Sequence, residues 1–439
     1  MQLDGYGFYS GEQNSRWKIP LYVLCVILLT LNGLNNTIIN SIAFLCVVSY
    51  VVLSRGKDVL LAYPIVFIFM GFSNLNMNII GASLDISTAA NIIYLLMLLK
   101  LLYSEPFIKV KNGSGLFFIV LAICSLNILV TNKLSQAVFM AAKLFVVYDI
   151  LFELNEEKDE RVQECSFTEK FIIALFLVII GEVIYGVLFP VASSDSTWRA
   201  AQFGGVKDPN NLSLHCCLLF ALATIINPNA VAKPLKRFIE ILMPVIVFAS
   251  ISFTGITMIS VLLIVGLWKQ FNGIKKVVVT FVLALIATMA SFINYANLLT
   301  ALTNSNQSTV AAFAQRISLM LMQYRTGNYE RLTSGRSSLW ERYFDVFQNE
   351  RISLQLFGSS GNLSHLIRQF GTASHNIYID FLISYGFIGG FFISLLTLSD
   401  WLYKIRDKRY TNLIVNIAFA ITFFSRSFDL SVFVLYVLL

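Results

Sequence analysis

The stretch TEKFIIALFLVIIGEVIYGVLFP, residues 168–190, decides the fold class of this chain. After its first three residues it carries only one charged side chain, Glu182, and it is long enough to cross the ~30 Å hydrocarbon core of a bilayer as an α-helix. The rest of the chain is similar: 57% of the 439 residues are apolar, 13% are charged, and the mean hydropathy is +0.72. A soluble protein of this length needs more charge on its surface, so the composition excludes a soluble enzyme, a disulfide scaffold and a disordered protein.

Apolar runs of similar length recur along the chain and predict an all-α polytopic membrane protein with about 14 transmembrane helices. The expected spans are 18–34, 38–54, 58–73, 86–103, 115–131, 134–152, 168–190, 211–227, 237–252, 256–270, 274–293, 377–399, 411–425 and 428–439. The pattern divides the chain into N-terminal transmembrane helices (1–190), a first outer loop (191–210), central transmembrane helices (211–293), a large outer loop (294–376) and C-terminal transmembrane helices (377–439). No cysteine pair in a loop has metal-ligand spacing, so we expect neither a metal site nor a structural disulfide.

The basic residues set the expected orientation, because cytoplasmic loops of membrane proteins are enriched in lysine and arginine. With the N-terminus in the cytoplasm, most of the 32 basic residues fall in loops on that side. These residues are Arg16, Lys18, Arg55, Lys57, Lys100, Lys109, Lys111, Lys158, Arg161, Lys170, Lys233, Lys236, Arg237, Lys269, Lys275, Lys276, Lys404, Arg406, Lys408 and Arg409. Long translocated loops are exempt from the rule, so the topology is coherent with 191–210 and 294–376 on the outer side.

The long loop 294–376 is distinguished by its arginines. It holds seven arginines and no lysine against four acidic residues, which leaves it net positive. The arginines are Arg316, Arg325, Arg331, Arg336, Arg342, Arg351 and Arg368. One alternative is that each arginine contacts lipid headgroups or pairs with a nearby acid. As a set they indicate a phosphate-bearing ligand, because the planar guanidinium binds phosphate oxygens in a bidentate manner that lysine cannot match.

Two helices are expected within this loop. Residues 311–324 (AAFAQRISLMLMQY) have the amphipathic pattern of a helix that lies at the membrane surface. Residues 334–350 (SGRSSLWERYFDVFQNE) predict a second helix with Thr333 or Ser334 as its N-cap. Residues 355–364 (QLFGSSGNLS) are rich in glycine and serine and predict a turn region.

The three histidines differ in position. His215 lies in an apolar span, where a hydrogen-bonded packing role is expected, and His365 lies in the polar loop, where we expect it to be solvated. His375 opens the apolar run at which the long loop re-enters the membrane. A neutral imidazole at that point can act as a general base near pH 7.

Charged side chains expected inside the spans are functional candidates by default. They are Lys143, Asp149, Glu182 and Asp380. Asp380 is five residues after His375, about 140° around a helix, so the two do not share a face and are not expected to act as a dyad. Arg426 and Asp429, three residues apart, are expected to form a local pair at a span end.

Several of these features together resemble the bacterial O-antigen polymerase and O-antigen ligase superfamily. The large outer loop contains an SGR…W element, Ser334-Gly335-Arg336 with Trp340, and it ends in a His-Asn pair, His375-Asn376, that leads into an apolar helix with glycines. The earlier loop places Arg199 and two glycines before a Pro-Asn pair, as in the first functional outer loop of that family. The resemblance covers about 190–400 and depends on the order and spacing of these elements.

The resemblance implies an all-helical, GT-C-like membrane glycosyltransferase in the bacterial inner membrane, with its active site facing the periplasm. Its substrates would be glycans on undecaprenyl diphosphate, without a metal or other cofactor and without nucleic acid. Arg199 and Arg336 would contact the lipid-linked diphosphate, with Arg316 and Arg325 as further candidates, and His375 would deprotonate the attacking sugar hydroxyl. The partners implied are the lipid-linked glycan, membrane lipid and a chain-length regulator protein.

Three functions remain open at this point. An O-antigen polymerase joins repeat units on undecaprenyl diphosphate, and the expected span count favours it. An O-antigen ligase shares the chemistry but transfers the polymer to lipid A-core. A lipid transporter or flippase would carry charge through its spans and show paired halves with broken helices, whereas here the charge concentrates in one outer loop.

Overall fold

The computed structural model describes residues 17–34, 36–70, 76–79, 82–104, 114–130, 134–155, 166–189, 208–271, 273, 300, 302–304, 308–327, 336–359, 363–425 and 429–439. Most of these residues are helical. The helices before residue 190 are α1 (Lys18–Thr30), α2 (Thr37–Leu53), α3 (Tyr63–Ile65), α4 (Ile86–Ser104), α5 (Ser114–Val130), α6 (Leu134–Asn155) and α7 (Phe167–Leu188). The later helices are α8 (Pro209–Phe220), α9 (Lys233–Ala249), α10 (Phe253–Gln270), α11 (Ser308–Arg325), α12 (Arg336–Asn349), α13 (Ile352–Phe357), α14 (Ser364–Phe370), α15 (Ile377–Arg406), α16 (Tyr410–Thr422) and α17 (Leu430–Leu438).

Four helices of the described chain are long and apolar enough to cross a membrane: α7, α8 with a π-helical extension to Ile226, α10 and α15. Helices α1, α2, α4 and α16 are shorter and also apolar. The predicted all-α membrane architecture is confirmed at this level. The count of about 14 spans stays a prediction, and the expected span 274–293 lies outside the described residues.

The expected span 58–73 is helical over its described residues, 58–70, but it is not one regular α-helix; residues 71–73 lie outside the described residues. This segment forms a 3₁₀ turn (Gly56–Ala62), the short α3 and a π-helical turn (Val66–Met70). Pro64 in α3 lies where the helix type changes, and proline has no N–H to donate to the preceding turn. The chain then forms an antiparallel hairpin, β1 (Asn76–Ile79) with β2 (Ala82–Asp85), which the apolar pattern did not predict.

The span-length helices α8 and α10 run side by side in the same direction. At their starts the Ser252 hydroxyl, which caps α10, donates a 2.6 Å hydrogen bond to the Asn210 side chain in α8. At their ends Lys269 donates to the backbone carbonyl of Ile225. We call the first of these the Asn210 end and the second the Lys269 end; the 18 residues of α8 with its extension separate them by about 27 Å.

Ion pairs join loops that the charge pattern places on one side of the membrane. Asp58 accepts hydrogen bonds from Lys18 at 2.7 Å and from Lys170 at 3.3 Å, and Lys57 pairs with Glu153. These lysines belong to three of the loops expected in the cytoplasm. Their assembly at a single end of the helices agrees with the predicted topology.

Helix α15 is broken at Gly386, which has φ +65° and ψ −171°. A Cβ at Gly386 would lie 2.4 Å from the carbonyl group of Leu356, so only glycine permits this contact between α13 and α15. The segment before the break is enclosed by the last two helices: the Tyr378 hydroxyl donates to the Ala420 carbonyl at 2.7 Å, and Phe381 packs edge-on against Phe433. The break therefore turns the first part of α15 into a separate element that carries His375 at its entrance.

Candidate functional site

Helix α12 holds the segment that precedes α15 through two side chains. The indole Nε1 of Trp340 donates a 2.8 Å hydrogen bond to the carbonyl of Ser374, and the hydroxyl of Tyr343 donates a 2.8 Å bond to the carbonyl of Thr372. Arg336, Trp340 and Tyr343 are spaced i, i+4 and i+7, so they share one face of α12. The face that carries Arg336 is therefore the face attached to the chain around His375.

The start of α15 is fixed by a buried polar network. Asn376 caps the helix, since its side chain accepts hydrogen bonds from the backbone N–H groups of Tyr378 and Ile379. The Ser374 hydroxyl lies 2.7 Å from Asp380 Oδ1 and accepts from the Asn376 N–H at 3.0 Å. Asp380 thus supports the backbone on either side of His375 through Ser374.

His375 has a left-handed backbone conformation, with φ +55°. A residue with a Cβ pays about 1–2 kcal/mol for this conformation, and such outliers persist only where surrounding contacts enforce them. Here the hydrogen bonds of Ser374 and Asn376 on either side supply that constraint. The half-buried His375 ring lies with Nε2 3.1 Å from the hydroxyl of Thr372.

Arg336, the first residue of α12, is half-buried, and burial lowers its pKa while the nearby charge of Asp208 opposes that effect. Asp208 is the N-cap of α8 and accepts hydrogen bonds from the backbone and side-chain nitrogens of Asn210, at 2.9 and 2.7 Å. Asp208 and Arg336, 128 residues apart in the sequence, are thus within electrostatic range of each other.

Other predicted site residues lie elsewhere or cannot be described. Arg199 and Arg331 are outside the described residues. Arg316 lies within α11, and Arg325 is exposed in the last turn of that helix. Within the described part of the chain, Arg325 makes none of the hydrogen bonds that build the site around His375. Its predicted contact with the diphosphate therefore stays a prediction.

Sequence reasoning did not single out Tyr343, Thr372 or Asp208. The spacing from Arg336 to Tyr343 was a usable signal, because it repeats the helical period that includes Trp340. Burial and the charge of Asp380 raise the pKa of the Tyr343 phenol to about 12. Tyr343 is therefore a neutral hydrogen-bond donor over the whole physiological pH range.

Two further polar pairs lie within the bundle. Nδ1 of His215 is 2.9 Å from Glu182, and its ring packs edge-on against Phe67, which matches the packing role expected of it. Lys143, on α6, pairs with Asp429 at 2.8 Å. Arg426, the expected partner of Asp429, lies outside the described residues, so that pair stays a prediction. No group of three or more His, Cys, Asp or Glu within the described ranges is arranged to hold a metal ion.

The structure thus places Arg336 within electrostatic range of Asp208 and attaches the helix of Arg336 to the chain beside His375. These are elements of the motifs on which the family resemblance depends. The resemblance is supported by those motifs alone: no family model matches this chain, and neither curated proteins nor solved structures give a match.

Proposed function

We propose that this chain is a glycosyltransferase of the O-antigen polymerase type, which joins oligosaccharide repeat units carried on undecaprenyl diphosphate at the periplasmic face of the inner membrane. One observation carries the proposal. The helix that begins with Arg336 is hydrogen-bonded through Trp340 to Ser374, the residue directly before His375. A phosphate-binding group and a candidate base are thereby held on two joined elements.

The expected reaction is a displacement at the anomeric carbon of the donor sugar. A hydroxyl oxygen of the acceptor sugar attacks that carbon, its proton passes to the imidazole of His375, and the bond from the anomeric carbon to the diphosphate oxygen breaks. Undecaprenyl diphosphate leaves with the bonding electron pair. A sugar hydroxyl is a poor nucleophile, so a base within hydrogen-bond reach contributes about 10²–10⁴-fold.

The role of Arg336 follows from the charge of the leaving group. Negative charge accumulates on the diphosphate as the bond breaks, and a guanidinium already oriented in a partly desolvated site stabilises that charge more than water does. The half-buried position of Arg336 supplies such an environment. If several guanidinium groups neutralise the diphosphate directly, the proposed reaction requires no metal ion.

The contact between His375 and Thr372 selects the nitrogen that accepts the proton. If Nε2 carries its hydrogen and donates to the Thr372 hydroxyl, the basic lone pair of the neutral imidazole is on Nδ1. The acceptor hydroxyl is then expected on the Nδ1 side of the ring. The contact with the Thr372 hydroxyl, 3.1 Å from Nε2, holds the ring in that orientation.

A deletion strain tests the proposal and separates it from its alternatives. Loss of a polymerase leaves lipid A-core carrying one repeat unit, visible as a single band above the core on a lipopolysaccharide gel. Bare core together with accumulating lipid-linked polymer would instead identify a ligase. Repeat units stranded on the cytoplasmic side would identify a flippase and overturn the proposal.

A further inference from the structure

A cavity of about 550 Å³ opens at the Lys269 end of the bundle, away from the site around His375. Its wall combines the start of α7, the turn after α8, the end of α10 and the start of α16. The volume is typical of a small-molecule site. The α8 and α10 helices, which start beside Asp208 and Ser252, place this cavity about 27 Å from the Arg336 region.

The chemistry of the described wall favours an anion. It contains two cationic side chains, Lys269 and Arg409, together with hydroxyl and amide groups, and none of its described residues is acidic. Lys236 is a third cation within electrostatic reach of Lys269. The Nδ2 nitrogen of Asn227 is buried and has no hydrogen-bond acceptor among the described residues, so the wall also holds an unused donor.

Two helix N-termini add to this positive character. The wall includes Ser166 and Thr168 at the start of α7 and Thr411 and Asn412 at the start of α16. The first turn of a helix presents unpaired N–H groups and the positive end of the helix dipole. Two such ends that share a cavity with an arginine and a lysine form a favourable site for phosphate oxygens.

We propose that this cavity binds a phosphate group, carried either by the headgroup of an anionic lipid or by a soluble organic phosphate, at the end of the bundle opposite the transferase site. Arg409 is the expected bidentate partner, because it is the one guanidinium among the described residues of the cavity wall. The proposal does not depend on the reaction assigned to His375. Binding at this end would give the protein a second anion site on the side where its basic loops gather.

The test uses the full-length protein in nanodiscs of zwitterionic lipid, titrated with glycerol 3-phosphate by isothermal calorimetry. Arg409→Gln is expected to raise the Kd about tenfold or more, the usual effect of losing a charge-assisted hydrogen bond. Arg406→Gln is the matched control: it removes the same charge at the same end, but Arg406 is exposed, pairs with Asp407 and is not in the cavity wall. Its Kd is expected to stay within twofold of the wild type.

A second arm distinguishes the two sources of phosphate. In nanodiscs that contain phosphatidylglycerol, a headgroup site is already occupied, so glycerol 3-phosphate binding is lost while native mass spectrometry shows retained lipid. A site for a soluble phosphate keeps its titration in both lipids. The absence of saturable glycerol 3-phosphate binding in the zwitterionic nanodiscs overturns the proposal. Equal weakening by both substitutions overturns it as well, because that result reflects general surface charge.

Discussion

Trp340 Nε1 lies 2.8 Å from the carbonyl oxygen of Ser374, and this hydrogen bond joins the helix of Arg336 to the backbone beside His375. The bond crosses 34 residues of sequence. Arg336 is one helical turn before Trp340. Together with the bond from Tyr343 to the Thr372 carbonyl, this bond fixes the helix of Arg336 against the chain beside His375.

Replacement of Trp340 by phenylalanine is expected to slow polymerisation by about fivefold or more, because it removes a hydrogen bond worth about 1 kcal/mol while an aromatic ring stays in place. The measurement is the rate of glycan chain growth by purified protein, with the amount of folded protein checked by size-exclusion chromatography. Trp401→Phe is the matched control, since its buried Nε1 has no hydrogen-bond partner among the described residues. Equal activity of the two variants would remove Trp340 as a positioning residue.

Replacement of Arg336 by lysine is expected to lower activity nearly as much as replacement by alanine, about 10²-fold or more. The physical reason is that an ammonium cannot make the two parallel bonds that a guanidinium makes to a diphosphate. Initial rates with a lipid-linked repeat unit provide the measurement. A lysine variant with wild-type rates would show that charge alone suffices.

The Tyr343 hydroxyl is expected to contribute to the free energy of unfolding in a way that is lost at alkaline pH. Its pKa in the folded protein is about 12, above the usual value near 10, so the folded state keeps this proton longer than the unfolded state does. The stabilisation is complete below pH 10 and is lost as the pH rises from 10 to 12. Melting temperatures measured between pH 9 and 11 are expected to fall less steeply in Tyr343→Phe than in the wild type; parallel curves would contradict the assignment.

Gly386 is expected to tolerate no side chain. An added Cβ would lie 2.4 Å from the backbone of Leu356 and 2.6 Å from the nitrogen of Gly358, and φ +65° is unfavourable for alanine. Gly386→Ala is therefore expected to separate α13 from α15 and to lower both the melting temperature and activity. Gly390→Ala, four residues later in the same helix with nothing within 4 Å of its Cβ, is expected to match or exceed the wild-type melting temperature. A stable, active Gly386→Ala protein would show that the break in α15 is not needed.

Sequence periodicity predicted the regular helices well because each has a continuous pattern of its own. The expected spans 168–190 and 256–270 correspond closely to α7 and α10, and the helix expected at 334–350 corresponds to α12. The expected turn at 355–364 is only partly correct, since it overlaps the end of α13 and the start of α14 at Ser364. Hydropathy does not distinguish the 3₁₀ and π-helical turns of 56–70 from a regular α-helix. The β1–β2 hairpin was missed because four-residue strands leave little hydropathy signal.

The sequence predicted individual residues of the candidate site but not how they are arranged. The motif identified Arg336, Trp340 and His375, but no sequence pattern predicts that the indole of Trp340 donates a hydrogen bond to the carbonyl of Ser374. The left-handed conformation of His375 also has no signal in a non-glycine residue. The approach of Asp208 to Arg336 depends on how α8 and α12 pack, which a single sequence does not record.

The most direct measurement compares wild-type and His375→Gly proteins, purified in nanodiscs, for glycan polymerisation and release of undecaprenyl diphosphate. Glycine adopts φ +55° readily, so this variant is expected to melt no lower than His375→Ala and to keep the backbone of the site. Loss of the base is expected to reduce turnover by about 10²–10⁴-fold while substrate binding is retained. Turnover within a few-fold of the wild type in the folded glycine variant would contradict the role of His375 and, with it, the proposed site.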